Sequence, residues 1–142
     1  MRDNQWLASR LNTIHERYFH EVPIFNTILV RFGRASKTRF GSIIARPHKD
    51  YKTPVTYITI NALFKDEIVP EYVIDATLAH EFAHYTHGFH SPLARLHKHP
   101  HRGSVVDKEI QKRGAGELLT LQYAWIKSTY PRFLQDSLAK LS

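Results

Sequence analysis

The sequence predicts an α+β fold for a single domain that spans residues 1–142. Three apolar, β-branched runs lie at 26–32, 38–45 and 56–61, and helical spacing of apolar residues occurs before and after them. Because strands and helices are segregated along the chain, we expect a small, mostly antiparallel three-stranded sheet, not an alternating βαβ arrangement. The length and a hydrophobic content of 42% suit one domain with its own core.

The elements at the two ends of the chain are predicted to be helices that pack against this core. Residues 3–19 place Leu7, Leu11 and Ile14 at helical spacing, which indicates an N-terminal amphipathic helix. Residues 115–142 are rich in leucine and aromatic residues and are interrupted by Pro131, so two short C-terminal helices are expected. Gly41, inside the second strand, marks a bulge or a close approach of the backbone to another group.

A helix of roughly 17 residues is predicted between Pro70 and Gly88. Proline suits a first helical position and glycine a helix end. Ile74, Leu78 and Phe82 recur every four residues and form an apolar stripe, so one face of this helix should be buried and another should carry its histidines.

The same helix contains the motif His80-Glu81-Phe82-Ala83-His84, the H-E-x-x-H pattern of zinc-dependent hydrolases. Four residues advance a helix by about 400°, so the imidazoles of His80 and His84 lie on adjacent turns and can hold one ion. Glu81 is turned about 100° further round, where it can act as a general base towards a water that the metal activates.

A third ligand is expected because catalytic zinc sites usually keep three protein ligands and one open position. Seven of the ten histidines lie between residues 80 and 101. His101 is favoured because it precedes a new helical stretch at 103–113. His97, His99, and the acids Glu109 and Glu117, are the alternatives.

The order of these elements resembles the SprT-like zinc metallopeptidases, the family that includes the Spartan proteases. The similarity covers about residues 8–114 and rests on three groups of residues: Tyr18-Phe19 with the strand Ile28-Leu29-Val30-Arg31; Lys37-Thr38-Arg39-Phe40-Gly41 with Tyr57-Ile58-Thr59-Ile60-Asn61; and the motif from Leu78 to His84 followed by a helix that a histidine leads.

The resemblance implies a zincin-like minimal metalloprotease domain that binds Zn²⁺ through His80, His84 and His101 and uses Glu81 as the general base. Two departures from the family are visible. The third-ligand segment reads His101-Arg102-Gly103-Ser104-Val105, with glycine one place late and valine where an aromatic residue is usual. The chain has no cysteine, so the zinc ribbon that many relatives append is absent, and 115–142 forms a helical extension instead.

Two further roles in peptide hydrolysis can be assigned only to groups of candidates. Tyr85, Arg102 and Tyr123 are candidates for stabilising the oxyanion. The strand at 56–61 is expected to present an edge along which an extended protein or peptide substrate pairs.

The net charge of +7 is unevenly distributed and suggests a second partner, DNA. Residues 31–52 carry seven Lys or Arg against one acid, and such a basic segment can attract phosphate backbones, although a solvated surface has the same composition. No run approaches the 18 apolar residues of a membrane span and the N-terminal stretch lacks a secretory signal. We therefore predict a cytoplasmic protein without membrane contact, or a nucleoid or nuclear one if it associates with DNA.

The sequence is compatible with three functions. The first is a zinc endopeptidase, acting on proteins held at DNA. The second is a non-catalytic module in which zinc is structural and His97 or His99 closes the site as a fourth ligand. The third is a basic nucleic-acid-binding protein in which the H-E-x-x-H match is incidental.

Overall fold

A computed structural model describes residues 1–141 and has an α+β architecture, as predicted. The sheet and five helices follow in the order α1 (Asn4–Tyr18), β1 (Ile28–Phe32), β2 (Gly41–Arg46), β3 (Val55–Ile60), α2 (Glu71–Thr86), α3 (Val105–Lys112), α4 (Gly116–Ser128) and α5 (Tyr130–Leu141). A short 3₁₀ helix, Ala62–Lys65, follows β3 and was not predicted. Within the described residues, no helix is both long and apolar enough to cross a lipid bilayer.

The sheet has the strand order β1-β3-β2 and is mixed, not mostly antiparallel. β3 pairs in parallel with β1 and antiparallel with β2, and the register places Ile58 between Val30 and Ile43. All three of these side chains are buried. The prediction that the third strand presents an edge was wrong, because β3 inserts between the two earlier strands and is paired on both sides. β1 and β2 are the edges.

α1 is fixed at its start by two sets of hydrogen bonds. The side chain of Asp3 accepts from the backbone N–H of Trp6 at 2.8 Å, which caps the helix. The Arg2 guanidinium donates to the backbone oxygens of Phe64, Asp66 and Val69, so it ties the N-terminus to the turn that precedes α2. Because a guanidinium offers five donors, one buried arginine can satisfy several carbonyls at once.

α2 lies at the centre of the domain and contacts α1, α3, α4, β2 and β3. It is buried on almost every side, including Val73–Ala79 and Glu81–Tyr85, which is more than the apolar stripe alone predicts. Pro70 caps its start and Gly88 follows its end with a φ of 78°. Asp75, nearly buried on α2, is held by both Nε and a terminal nitrogen of Arg10 from α1.

The two C-terminal helices pack against the core, as predicted for 115–141; residue 142 lies outside the described residues. Trp125 of α4 and Tyr130 and Phe133 of α5 form an aromatic cluster, and Phe64 and Phe40 contact it from the sheet side. This cluster stabilises the segment that leads into β2.

Candidate active site

A cavity of about 640 Å³ opens between α2, β2 and the turn before α3. The side chains of His80, Glu81, His84 and His101 all line it, and we call it the histidine cavity. α2 brings the first three together, since residues 80, 81 and 84 fall on two adjacent helical turns. The four residues that the sequence predicted for the site therefore share one cavity.

His101 reaches the cavity from a tight turn at the start of α3. Gly103 and Ser104 both adopt positive φ values, 67° and 55°, which turn the chain sharply before Val105. The ring of His101 lies 4.7 Å from the ring of His84, centroid to centroid. Phe89 packs against both rings at 5.3 Å and so forms an apolar wall behind them.

The spacing of the imidazoles fits a shared metal ion. The ring centroids of His80 and His84 are 4.9 Å apart, and those of His84 and His101 are 4.7 Å apart. Two imidazoles that bind one tetrahedral zinc through nitrogens at about 2.0–2.1 Å have centroids about 5 Å apart. The observed ring separations therefore match what one zinc would require.

The site is not an assembled metal site. Among residues 1–141, no three His, Cys, Asp or Glu side chains form a ready metal-binding group, so the ligands would have to adjust before they could hold one ion. His84 is 1% exposed, and its Nδ1 is buried without a hydrogen-bond partner. A buried ring nitrogen without a partner costs about 1–3 kcal/mol, and reorientation around a ligand would offset that cost.

The environment keeps the imidazoles of His80 and His84 in the neutral form that binds metals. Burial, with smaller contributions from the neighbouring His80 and His101, lowers the pKa of His84 to about 3. Burial also lowers the pKa of His80, although Asp107 opposes the shift. At neutral pH, His80 and His84 therefore each have a ring nitrogen with a free lone pair, and no proton has to be lost before a metal binds.

Glu81 is 5% exposed and lies beside Gly41 of β2. Burial raises the pKa of Glu81 to about 8 in the metal-free protein, and the positive charge of Arg39 opposes the shift. A Cβ added to Gly41 would lie 3.1 Å from Oε2 of Glu81 and 2.7 Å from Cγ2 of Thr77. The sequence predicted a bulge or a close backbone approach at Gly41, and a close approach is present. The backbone of β2 at Gly41 lies against the carboxylate of Glu81.

The alternative third ligands lie elsewhere. His97 packs its ring against that of His87 at 4.5 Å, outside the histidine cavity. His99 and Glu117 are exposed and do not line the cavity. Both carboxylate oxygens of Glu109 are already engaged, as described next.

A second polar network lies behind the cavity, between α2 and α3. Nε2 of His87 donates to Glu109 at 2.8 Å, and the other oxygen of Glu109 accepts from Nε of Arg113 at 2.7 Å. Arg113 continues to the backbone oxygen of Tyr18 and to Glu21. Burial opposes the ionised form of Glu109, but the hydrogen bonds from His87 and Arg113 outweigh it and lower the pKa of Glu109.

None of the three oxyanion candidates lines the cavity. The hydroxyl of Tyr85 donates to Asn26 at 2.6 Å, Tyr123 is 62% exposed beneath Lys127, and Arg102 is exposed. The polar side chains that do line the cavity beside the motif residues were missed: Thr38, Arg39, Ser42, Thr77 and Gln122. Helical spacing does not predict them, because they come from a loop, a strand and two helices that meet only in the folded chain.

Comparison with protein-family models, with curated proteins and with solved structures gives no significant match. The case for a function therefore rests on the residues of this chain and on their geometry.

Proposed function

We propose that the protein is a zinc-dependent metallopeptidase of the SprT-like kind, with His80, His84 and His101 as metal ligands and Glu81 as the general base. The observation that carries this proposal is the convergence of three imidazoles and one buried carboxylate on a single cavity. The ring separations of 4.9 and 4.7 Å suit one zinc ion. His101 lines the same cavity as the motif residues, although the segment around His101 departs from the family's pattern.

Zinc and Glu81 would have separate roles in peptide hydrolysis. Zinc, when bound, supplies the Lewis acidity that activates a water and polarises the peptide carbonyl. Glu81 accepts a proton from the attacking water while the new carbon–oxygen bond forms, and then donates that proton to the amine that leaves as the carbon–nitrogen bond breaks. Without metal, burial raises the pKa of Glu81 to about 8, so the positive charge of a bound zinc would have to lower it before the carboxylate could accept that proton.

The edge of β2 supports an extended substrate in place of the strand predicted for that role. The backbone N–H of Ala45 points away from β3, because it donates to Nδ1 of His90 at 3.1 Å. In an antiparallel pair, alternate residues direct their backbone groups the same way, so those of Ile43 and Gly41 also point outward. Both residues line the histidine cavity, and an extended peptide could pair with them there.

A structural zinc site is disfavoured by the same geometry. A closed site needs a fourth protein ligand, and the two candidates, His97 and His99, lie outside the cavity. The cavity instead leaves room for water and a substrate beside the three imidazoles.

Zinc content and peptide cleavage, measured on wild type and on the Glu81→Gln and His84→Ala variants, test the proposal. Wild type should bind one zinc and cleave an unstructured protein such as casein. Glu81→Gln should keep the zinc and lose cleavage, and His84→Ala should lose both. The matched control is His20→Ala, because His20 is exposed and lies far from the motif in sequence. This variant should behave as wild type. Zinc without cleavage in wild type, or cleavage that survives in Glu81→Gln, would contradict the proposal.

Association with DNA stays a prediction. The basic residues of 31–52 separate into a group before β2, which includes Arg34, Lys37 and Arg39, and a group after it, which includes Lys49 and Lys52. DNA binding that weakens steeply with added salt would support DNA-associated proteins as substrates. Salt-independent binding, or none, would remove DNA from the proposal.

A further inference from the structure

A second cavity of about 370 Å³ adjoins the histidine cavity. It is lined by Arg34, Ser36, Thr38, Arg39, Ser42 and Thr59, among others, and we call it the arginine pocket. Residues 38–42 line both cavities, so the two form one continuous depression along the start of β2. A substrate held at Glu81 would therefore extend into the arginine pocket.

The arginine pocket is positively charged, and the charge of Arg39 also acts on the carboxylate of Glu81 in the adjoining cavity. No Asp or Glu lines it. Neither Arg34 nor Arg39 makes an ion pair or a side-chain hydrogen bond within residues 1–141, whereas Arg2, Arg10 and Arg113 are all engaged. Ser36, Thr38, Ser42 and Thr59 add hydroxyl groups. Free guanidiniums beside hydroxyls are suited to binding a carboxylate.

The loop that carries these arginines is held in place from two directions. Asn61 is 4% exposed; its amide donates to the backbone oxygens of Ser36 at 2.7 Å and Arg39 at 3.0 Å, and its oxygen accepts from the N–H of Ser36. The hydroxyl of Tyr130 donates to the backbone oxygen of Lys37 at 2.6 Å. A loop fixed in this way presents its arginines without a large ordering cost, which favours binding.

We propose that the arginine pocket binds an acidic side chain of the peptide substrate, on the C-terminal side of the cleaved bond. This inference rests on the proposed peptidase function. The side depends on antiparallel pairing with β2, which is part of the proposal: a peptide in that direction has its C-terminal half over Gly41, the first residue of β2, and beyond it lie Arg39 and Arg34. The substrate class is thus peptides with Asp or Glu just after the cleaved bond.

A peptide carboxylate is favoured over a nucleic-acid phosphate because of where the pocket lies. It continues directly from the histidine cavity at the end of an unpaired strand edge, where the next side chains of an extended peptide would fall. Of the other basic residues of 31–52, Lys37 lies on the same loop and Arg31 lies on β1, whereas Arg46, Lys49 and Lys52 lie at or beyond the opposite end of β2.

Binding of short peptides to the zinc-loaded Glu81→Gln protein tests the inference without turnover. The probes are fluorescein-labelled ten-residue peptides with Glu, its neutral isostere Gln, or Lys placed in turn at each position. Fluorescence anisotropy should show about tenfold tighter binding for Glu than for Gln at one or two adjacent positions. Adding Arg34→Gln and Arg39→Gln should abolish this preference. Adding Lys49→Gln and Lys52→Gln removes the same charge elsewhere and should leave it intact.

Several results would overturn the inference: equal binding of Glu and Gln peptides at every position, no measurable binding of any peptide, or a preference that survives both arginine substitutions. Loss of binding to a single-stranded oligothymidine probe in the arginine variant, with no Glu preference in peptides, would assign the pocket to phosphate instead. A clear Glu preference in binding, with no cleavage of the same peptides by zinc-loaded wild type, would refute the peptidase proposal and leave the pocket assignment standing.

Discussion

Replacing Gly41 with alanine tests how closely β2 approaches α2. The added Cβ would lie 2.7 Å from Cγ2 of Thr77, 3.1 Å from Oε2 of Glu81 and 3.3 Å from the backbone oxygen of Thr59. The shortest of these distances is far inside van der Waals contact, so β2 or α2 must shift. Overpacking of this kind costs about 1–3 kcal/mol in the free energy of unfolding, and each kcal/mol should lower the Tm by about 2–4 °C.

A second substitution isolates the contact responsible. Thr77→Ser removes Cγ2 but keeps Oγ1, which donates to the backbone oxygen of Val73 at 2.8 Å. Combined with Gly41→Ala, it should restore much of the lost stability, with a coupling energy of about 1 kcal/mol. Gly116→Ala is the control, because its Cβ would meet nothing nearer than Cγ of Gln111 at 3.5 Å. It should stabilise the protein by about 0.4–1 kcal/mol.

Urea unfolding of the four variants and the wild type measures these energies, and peptide cleavage below the transition measures the effect on Glu81. Gly41→Ala should reduce cleavage beyond what its stability explains, because the carboxylate oxygen next to the new methyl group is displaced. A Gly41→Ala protein with wild-type stability and activity would refute the geometry, as would a double variant no more stable than Gly41→Ala alone.

Three further predictions concern stability. Asn61→Ala removes four hydrogen bonds of the loop before β2 and of the 3₁₀ turn and should cost about 2–4 kcal/mol in urea unfolding; an unchanged midpoint would show that the loop does not depend on this amide. Arg10→Ala leaves the nearly buried carboxylate of Asp75 unpaired and should cost about 2–3 kcal/mol, most of which the double variant with Asp75→Leu should recover. The folded-state pKa of Glu109 is lowered, so its stabilisation is present above an ordinary carboxyl pKa of 4.5 and is lost as the pH falls below it. Glu109→Gln should therefore flatten the acid limb of a pH titration of Tm, and an unchanged limb would contradict this assignment.

Local patterns were sufficient to predict most of the elements. The helix expected from Pro70 to Gly88 spans Glu71–Thr86, because a proline and a glycine define its ends whatever surrounds it. The H-E-x-x-H spacing likewise placed three site residues on one cavity, since helix geometry alone fixes their relation. His101 lies in that cavity too, although its segment departs from the family's usual sequence.

Contacts between residues that are far apart in sequence determine the features that local patterns did not predict. The strand runs contain no signal that β3 inserts between β1 and β2, so the parallel pair and the identity of the edge strands were missed. α2 carries a clear stripe of Ile74, Leu78 and Phe82, but α3 and α4 cover its other sides, so its burial exceeds what the stripe predicts. Arg39 and Gln122 lie 83 positions apart in sequence and reach the cavity only through the fold.

Anomalous diffraction at the zinc edge, on crystals of the zinc-loaded protein, shows whether three imidazoles hold one zinc ion. We expect a single peak at about 2.0–2.1 Å from a ring nitrogen of each of His80, His84 and His101, with a fourth position open to solvent. A peak at His87, His97 and Glu109 instead, or no ordered zinc between residues 80 and 84, would contradict it.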